Sequence, residues 1–454
     1  MTDAHPQSLR AALARLEAAG ALRVIAEPVA LRHELAAYLS LLPADQTVRF
    51  DHIANHPGAR VVANLLPDRA RIAAALGVAP AALQARIGAA IAAPLAPLPV
   101  DAAPCQALTR ADPDLGDLPI PTFFEHETGP YITAGAIVAR DPESGRANLS
   151  IARLKPLGGN RALIGIAPNH HLAALARKAA ARGATLPIAV TLGNHPAVML
   201  AAALYLGLGD DELAVAGALL GAPVETARCA TADLLVPAHC EIVLEGRLDP
   251  ADTIAEGRVS EFHGYYEDYG AGQVVTFARL TSRRDPLFQV VMPGRHAEHV
   301  WLGAVAIAGG LAHRLAATIP AVRRVAVTPG GAGRLHAVIS LAAAEPGDAQ
   351  RAMFAAWAAV SLIKQIIVVD DDIDPWDGVQ VEAALATRMR AERDLLVVPG
   401  MKADRAEPLE RAGLVAKLGL DATAKPGDRD WTRAAPPADM LARVRRRLGL
   451  DDAV

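Results

Sequence analysis

The chain is poor in cysteine. Its 454 residues contain three, Cys105, Cys229 and Cys240, which are odd in number, unevenly spaced and without a CxxC pair. This usage argues against a disulfide framework or a structural zinc site, and it fits a reducing cytoplasm.

Long hydrophobic runs and targeting signals are also missing. The longest apolar stretches, such as LAVAGALLGAPV at 213–224, are too short and too rich in glycine to span a bilayer. Residues 1–20 carry charges throughout, whereas a secretory signal has a basic region followed by an apolar run. We therefore expect neither export nor a membrane segment.

The chain lacks an excess of basic charge and the common short catalytic motifs. Its formal net charge is −4, which argues against a nucleic-acid binder. No Walker loop, GxGxxG fingerprint, HExxH or GxSxG stands out. TPGGAGR at 328–334 is rich in glycine but lacks the Lys-Ser/Thr ending of a phosphate loop, so it predicts a hairpin turn.

What the chain does contain is 52% hydrophobic residues, enough for a large core, and patterns that predict a mixed α+β and α/β fold with several domains. Helical and strand patterns alternate in residues 1–115. Seven prolines between 94 and 121 indicate an extended connector. Residues 116–310 are rich in strands and favour a sheet closed into a barrel. Alternation returns in 311–454, which predicts a second α/β unit ending in a basic helix.

One segment with possible chemistry is NLSIAR, at 148–153. On a strand, Asn148, Ser150 and Ala152 would face one way and the other three residues the opposite way. An arginine at the end of an apolar strand needs an anionic partner. Taken alone, Arg153 favours an ordinary structural salt bridge.

Two further segments place polar residues at predicted helix starts. His170 and His171 precede one helix, where free N–H groups attract anions, and adjacent side chains point in different directions, so we expect at most one ligand. Asp210, Asp211 and Glu212 precede another, where acidic residues ordinarily act as caps.

The segment IAEGRVSEFHGYY, 254–266, holds two glutamates five residues apart, Glu256 and Glu261. Neither helical nor strand periodicity puts both on one face, so an irregular loop is needed for them to converge. Two carboxylates near one arginine would suit proton transfer, because their pKa values would be pushed apart. A polar turn is the equally simple alternative.

Taken in order, seven segments between about residues 120 and 425 resemble the UbiD family of reversible decarboxylases. The most telling are TADLLVPAHCEIVLEGRL and EGRVSEFHGYY. The others are NLSIAR, HHL, GDDELAVAGALLGAPVE, IIVVDDDID and KLGLDATAK.

The resemblance implies three domains: an N-terminal α/β domain (1–115), a central flavin-binding split β-barrel (116–310) and a C-terminal α/β domain that mediates oligomerisation (311–454). It implies prenylated FMN, supplied by a flavin prenyltransferase, with Mn²⁺ (or Mg²⁺) and K⁺ at its phosphate. The implied reaction is reversible decarboxylation of an α,β-unsaturated or (hetero)aromatic acid through a covalent adduct with the flavin. A cytoplasmic homo-oligomer, dimer or hexamer, is expected.

Carried over residue by residue, the resemblance makes Arg153, Glu256 and Glu261 the catalytic network, with Glu261 as proton donor. The implied manganese ligands are Asn148, His171 and Glu212. The implied cofactor contacts are Ser150, Ile151, Ala152, Arg153, His171 and Lys364.

The chain departs from the family pattern at two places. Leu149 stands where Trp is frequent, and 201–204 reads AAAL where hydroxyl-bearing residues are frequent. Potassium binding at Ala201, Leu204 and Glu212 would then depend on backbone carbonyls and one carboxylate.

For the substrate, MPGRHAEHVWLGAVA (292–306) resembles members that act on furan, pyrrole or similar acids. Arg295, His296 and His299 could contact a second polar group, although His299 could equally pack at the helix start. Because the helix in this segment lacks the extra arginine that a dicarboxylate would favour, a monocarboxylic acid is the first expectation.

Two other functions stay open: an FMN-binding oxidoreductase, and a non-catalytic family member that binds flavin or assists assembly. The first would need a site for a nicotinamide or electron partner, for which no fingerprint appears. The second should lack Arg153, Glu256 or Glu261, and all three are present.

Overall fold

The computed structural model describes residues 5–425, 427 and 434–450. The N-terminal unit begins where Ser8 caps the first helix, since its hydroxyl accepts the Ala11 N–H at 3.2 Å. Its helices are α1 Leu9–Ala18, α2 Glu34–Leu41, α3 Arg69–Ala75 and α4 Leu83–Ala92, with a 3₁₀ turn at Pro80–Ala82. Its strands are β1 Leu22–Ile25, β2 Thr47–Phe50 and β3 Arg60–Ala63.

The central unit is rich in strands. They are β4 Leu98–Pro99, β5 Leu108–Ala111, β6 Ala136–Arg140, β7 Ala147–Ile151, β8 Arg153–Gly158, β9 Arg161–Gly165, β10 Leu186–Leu192, β11 Glu225–Arg228, β12 Leu235–Pro237, β13 Ile242–Ala255, β14 Arg258–Ser260, β15 Tyr266–Asp268, β16 Ala271–Ser282 and β17 Leu287–Val290. Its helices are α5 His171–Ala181, α6 Pro196–Ala203 and α7 Glu212–Leu220, and 3₁₀ turns lie at Pro104–Gln106 and Leu115–Asp117.

The main central sheet has the order β7-β6-β10-β13-β16-β9-β8, with β5 added beside β16. Its two end strands, β7 and β8, are consecutive in the chain and are separated by Ala152 alone. The sheet must therefore curve until both ends meet at that residue. Aliphatic side chains fill the space on both sides of it, in two large buried clusters.

The N-terminal sheet has the order β1-β2-β3-β17 and so includes a strand from the end of the central unit. β17 pairs with β3 in parallel, Phe288 opposite Val61. The proline-rich connector is extended, as expected, but it is also paired: β4 lies beside β11 and β5 beside β16. The pairing of β17 with β3 joins the first two units, and the pairings of β4 and β5 fix the connector to the central unit.

The C-terminal unit contains helices α8 Ala297–Thr318, α9 Asp348–Ala359, α10 Gly378–Arg388, α11 Ala391–Asp394 and α12 Ala438–Leu448. Its strands are β18 Val322–Val327, β19 His336–Leu341, β20 Gln365–Asp370, β21 Leu395–Lys402 and β22 Leu414–Ala422, in the sheet order β18-β19-β20-β22-β21. β18 and β19 are antiparallel, which confirms the hairpin expected for TPGGAGR.

Helix α8 joins the units, and the domain boundary expected at residue 310 falls inside it. Among the described residues it is the helix long and apolar enough to cross a membrane, yet 72% of its most apolar window is buried. It packs against α4 on one side and β18 on the other. This burial is what a core helix shows.

Candidate active site

A cavity of about 570 Å³ lies between the central sheet and helix α8. All six residues of the NLSIAR segment, 148–153, line it. The curved sheet explains this: the segment crosses from β7 to β8 at the place where the two ends of the sheet meet. The rest of the lining includes residues of α5, α6, α7 and α8, of the turn after β14, and of the segments 127–133, 359–362 and 404–406.

Arg153 binds both glutamates of the segment at 254–266. Its Nε and Nη2 donate to the two carboxylate oxygens of Glu256, each at 2.7 Å, and its Nη1 donates to Glu261 Oε1 at 3.2 Å. The Glu256 side chain is 2% exposed and that of Glu261 is 14% exposed. Glu261 is therefore the carboxylate with more access to the cavity.

A glycine turn and a short strand, and not an irregular loop, bring the two glutamates together. Glu256 follows β13, and Glu261 follows the three-residue strand β14, which pairs with β15. Between them Gly257 turns the chain at φ +75°, a conformation that glycine favours. The expectation of an irregular loop is wrong, because a positive φ followed by a short strand converges the side chains without one.

Glycine also makes room for the arginine. Arg153 lies opposite Gly165 on β9, and a Cβ at Gly165 would stand 2.9 Å from the guanidinium carbon. Burial alone would lower the pKa of Arg153, but the hydrogen bonds and charge of Glu256, with help from Glu261, outweigh this and raise it. Arg153 thus stays charged and balanced by two carboxylates.

A second cluster lies around Glu212, the first residue of α7. One Glu212 oxygen accepts the amide of Asn148 at 3.1 Å and lies 3.8 Å from His171 Nδ1; the other accepts the Leu149 N–H at 2.8 Å. Asp211, not Glu212, caps the helix, since its side chain accepts the Leu213 and Ala214 N–H groups. Glu212 is free to point into the cavity.

Burial raises the pKa of Glu212, against the opposing effects of His171 and the Leu149 N–H. The neighbouring histidines differ as expected of adjacent side chains. His170 caps α5 by accepting the Leu172 N–H at 3.3 Å, and burial lowers its pKa to about 4. His171 is the one beside Glu212.

Several residues expected at the site lie elsewhere or are already bonded. Lys364 pairs with Glu407 at 2.7 Å and does not line the cavity. His296 does not line it either, whereas His299 does, with its Nδ1 3.0 Å from the Gly294 carbonyl. Leu204 lines the cavity, but the Ala201 carbonyl accepts the Leu204 N–H at 3.1 Å.

Sequence reasoning missed several charged residues of the lining. Glu127 anchors the start of the Glu261 turn, because it accepts the Ser260 hydroxyl at 2.7 Å and the Phe123 and Phe124 N–H groups. Arg314, Arg334 and Arg405 bring three more positive charges. TPGGAGR contained a signal for Arg334, since it placed an arginine directly after a tight hairpin.

Profiles for the three domains of the 3-octaprenyl-4-hydroxybenzoate carboxy-lyase family match consecutive parts of the chain. The N-terminal domain matches residues 13–91, the Rift-related domain 98–296 and the C-terminal domain 300–422. The anhydromevalonate phosphate decarboxylase of Methanothermobacter thermautotrophicus is 36% identical over 312 residues, 68% of this chain and 73% of that protein.

Solved structures agree along nearly the whole chain. The UbiD-class enzyme HmfF from Pelotomaculum thermopropionicum, in complex with FMN, is 38% identical with a TM-score of 0.88, covering 96% of this chain and 99% of its own. The vanillic acid decarboxylase of Sedimentibacter hydroxybenzoicus, in closed form, has a TM-score of 0.88 at 27% identity, covering 98% and 99%. With three domain profiles matched in order, the chain belongs to the UbiD family.

Proposed function

We propose that this protein catalyses the reversible, non-oxidative decarboxylation of an α,β-unsaturated or (hetero)aromatic carboxylic acid, with prenylated FMN as its cofactor. The observation that carries this proposal is the pair of carboxylates held on Arg153 inside the cavity, at 2.7 and 3.2 Å. Such a network can bind an anionic substrate and transfer a proton. These are the two steps of a decarboxylation that the flavin would not perform.

The residues around Glu212 are the evidence for a site that binds a cation and the flavin phosphate. Asn148 Oδ1 and Ser150 Oγ are buried without a hydrogen-bond partner in the part of the chain described. An amide oxygen, an imidazole and a carboxylate form a hard donor set that suits Mn²⁺ or Mg²⁺. We therefore infer that Asn148, His171 and Glu212 hold the metal.

The curved central sheet supports a split barrel that holds the flavin, with Ser150, Ile151 and Ala152 lining the cavity beside Arg153. Potassium at Ala201, Leu204 and Glu212 would share the Ala201 carbonyl with the Leu204 N–H, which donates to it at 3.1 Å. Lys364 is proposed as a cofactor contact only through a rearrangement of its pair with Glu407.

When bound, prenylated FMN supplies an electron sink beside the carbon that loses CO₂. Arg153 holds the substrate carboxylate through Nη1, whose bond to Glu261 is the longest in the network. Glu256, which engages Arg153 at two positions, keeps the guanidinium plane fixed. Glu261, after taking a proton from solvent, delivers that proton to the carbon from which CO₂ departs.

We also infer the partners from the family. A flavin prenyltransferase would supply the cofactor, and CO₂ would be the second product. A homo-oligomer fits the exposed apolar residues of the otherwise polar helix α12, Leu441, Val444 and Leu448. Three buried free cysteines fit a reducing cytoplasm.

The test is expression with and without a flavin prenyltransferase, followed by an absorbance spectrum, metal analysis and a screen of unsaturated and aromatic acids for CO₂ release. We expect release only after co-expression, together with bound Mn²⁺ or Mg²⁺. Turnover with unmodified FMN and a nicotinamide would instead favour the oxidoreductase, and a loaded protein inactive on every acid would favour the non-catalytic alternative.

A further inference from the structure

Arg334, which lines the cavity, forms no ion pair with a carboxylate among the described residues. Arg334 donates through Nη1 to the carbonyls of His299 and Ala332 at 3.4 and 3.5 Å, both long, and its Nε and Nη2 make no hydrogen bond within that part of the chain. Arg153, in contrast, is bonded to two carboxylates. The two guanidinium groups line the same cavity in opposite electrostatic states.

Arg334 is held in place by its surroundings. It ends the hairpin turn between β18 and β19 and reaches over helix α8 at Gly303, where a Cβ would stand 2.8 Å from the guanidinium carbon. Its guanidinium carbon lies 4.9 Å from the centre of the Phe262 ring. Gly303 therefore opens the space that allows this side chain to reach the cavity.

The groups beside Arg334 do not neutralise it. Burial, followed by the charge of Arg334, lowers the pKa of His299 to about 3, so the imidazole is neutral. Arg314, also in the lining, donates to the Tyr205 and Ala359 carbonyls and adds positive charge. Burial lowers the pKa of Arg334 itself, only partly offset by Tyr205 and by Glu261.

A partly buried guanidinium loses part of its hydration, and a bound anion compensates for that loss. We propose that the substrate carries a second anionic group, a carboxylate or a phosphate, which Arg334 binds while Arg153 holds the carboxylate that leaves. This inference rests on the proposed function and narrows its substrate class. It replaces the expectation of a monocarboxylic acid, which considered 292–306 and not the hairpin that supplies Arg334.

The test compares matched acids by titration calorimetry with the cofactor-loaded Glu261→Gln variant and by kcat/KM with the wild-type enzyme. One pair is pyrrole-2-carboxylate and pyrrole-2,5-dicarboxylate; the other is anhydromevalonate and its phosphate. We expect the doubly anionic member of one pair to bind about 10- to 100-fold more tightly, as hydrogen bonds to a charged group would give. The pair that shows the difference identifies the anion.

Two variants link the preference to Arg334. Arg334→Lys keeps the charge but loses the planar fork, and Gly303→Ala displaces the far end of the flexible side chain while favouring the helix. Both should lower the preference ratio at least about 10-fold. Arg323→Met, which removes an exposed arginine of β18, is the matched control and should leave the ratio unchanged.

Equal binding within both pairs, or a preference that survives in both variants, would overturn the inference. CO₂ release by the wild-type enzyme distinguishes a failure of this inference from a failure of the proposed function. If wild-type enzyme releases CO₂ from monoacids and diacids without distinction, the decarboxylase stands and the second anion does not. If it releases CO₂ from none, the decarboxylase fails, and the titrations alone decide the anion site.

Discussion

The two charged clusters of the cavity lie at opposite ends of one short segment, 148–153, yet they differ in electrostatic balance. At one end Arg153 is bonded to Glu256 and Glu261. At the other, the buried Glu212 carboxylate has an amide, a backbone N–H and His171 as neighbours, and none of these bonds is to Lys or Arg. The fold completes the first cluster by itself, whereas within the described residues it gives the second cluster no lysine or arginine partner.

The difference in charge balance indicates different roles for the two clusters. A guanidinium fixed by a bidentate carboxylate is already oriented before substrate arrives, so little reorganisation is needed. A buried carboxylate without a cation is unfavourable, as the raised pKa of Glu212 indicates. We therefore expect changes in the Arg153 cluster to affect turnover, and changes in the Glu212 cluster to affect metal binding and stability.

The largest expected effect is in the first cluster. Glu261→Gln keeps the size of the side chain but cannot donate the proton, so kcat should fall by about 10²- to 10⁴-fold. Metal content and the flavin spectrum should be unchanged, since Glu261 does not contact the Glu212 cluster. Steady-state kinetics on the loaded enzyme measure the loss.

The matched control for that variant is Glu267→Gln on the same hairpin. Glu267 lies 3.3 Å from His263 and does not bond Arg153, so its variant should retain most of the activity. Full activity in Glu261→Gln would remove the proton donor from the mechanism and with it the functional contrast between the clusters.

The second cluster should respond in its metal affinity. Glu212→Gln should weaken Mn²⁺ binding more than about 100-fold, because the loss of an outer partner alone typically costs about 10- to 100-fold. The rise in Tm that Mn²⁺ causes in the wild-type protein should disappear. Without metal, the variant should be as stable as the wild type or more so, since a buried carboxylate is removed.

Asp211→Asn is the control for the metal prediction. It removes the adjacent acid but keeps a good helix cap, because asparagine accepts the same backbone N–H groups. If this variant loses Mn²⁺ as severely as Glu212→Gln does, the effect reports helix capping and not ligation.

The residues of both clusters were predicted from the sequence. The residues of each were found through a resemblance, and the structure brings Arg153 to both glutamates and Asn148 and His171 to Glu212. Local patterns predicted the hairpin at 328–334 and the extended connector. These features depend on nearby residues, so periodicity and turn chemistry suffice for them.

The features that the sequence did not predict depend on contacts between residues that are distant in the chain. No pattern shows that Arg334 will cross helix α8 at Gly303, because the two are 31 positions apart and meet only after the hairpin packs on the helix. The same holds for β17, which joins a sheet whose other strands lie in 22–63. Lys364 looked like a cofactor contact by position, but Glu407 holds it away from the cavity lining.

A third buried carboxylate sharpens the comparison. Glu298, at the start of α8, has no Lys, Arg or His partner among the described residues; it accepts the N–H groups of Asn64, Leu65 and Leu66. Burial outweighs these bonds and raises its pKa from 4.5 to about 7. Since the folded-state pKa is raised, its contribution to stability is fully present below about pH 4.5 and is lost as pH rises through 7.

The unfolding free energy should therefore contain a loss on the order of 3 kcal/mol between pH 4.5 and 7 that Glu298→Gln abolishes. Urea unfolding of the metal-free wild type and variant across this range measures it. If the difference between the two proteins does not vary with pH, backbone N–H groups alone stabilise a buried carboxylate, and the raised pKa of Glu212 would no longer argue for a cation.

The smallest expected effect concerns the backbone that supports the first cluster. Gly257 adopts φ +75°, and a Cβ there would stand 2.7 Å from the Thr128 methyl group. Thr128 donates to the Glu256 carbonyl at 2.8 Å, as Lys155 does at 2.9 Å, so Gly257→Ala should shift Glu256 relative to Arg153. We expect kcat to fall by about 10-fold, as for a positioning group displaced by less than 1 Å.

The control for Gly257→Ala must show the same backbone strain without the contact. Gly58, at φ +79° and with nothing within 4 Å of a Cβ, offers it. Both alanine variants should lose about 1–2 kcal/mol of unfolding free energy, the cost of a left-handed conformation at a non-glycine residue. Only Gly257→Ala should lose turnover, with Mn²⁺ affinity unchanged in both. Equal turnover in the two variants would mean that the Arg153 cluster tolerates movement of Glu256, contrary to an orientation fixed before substrate binds.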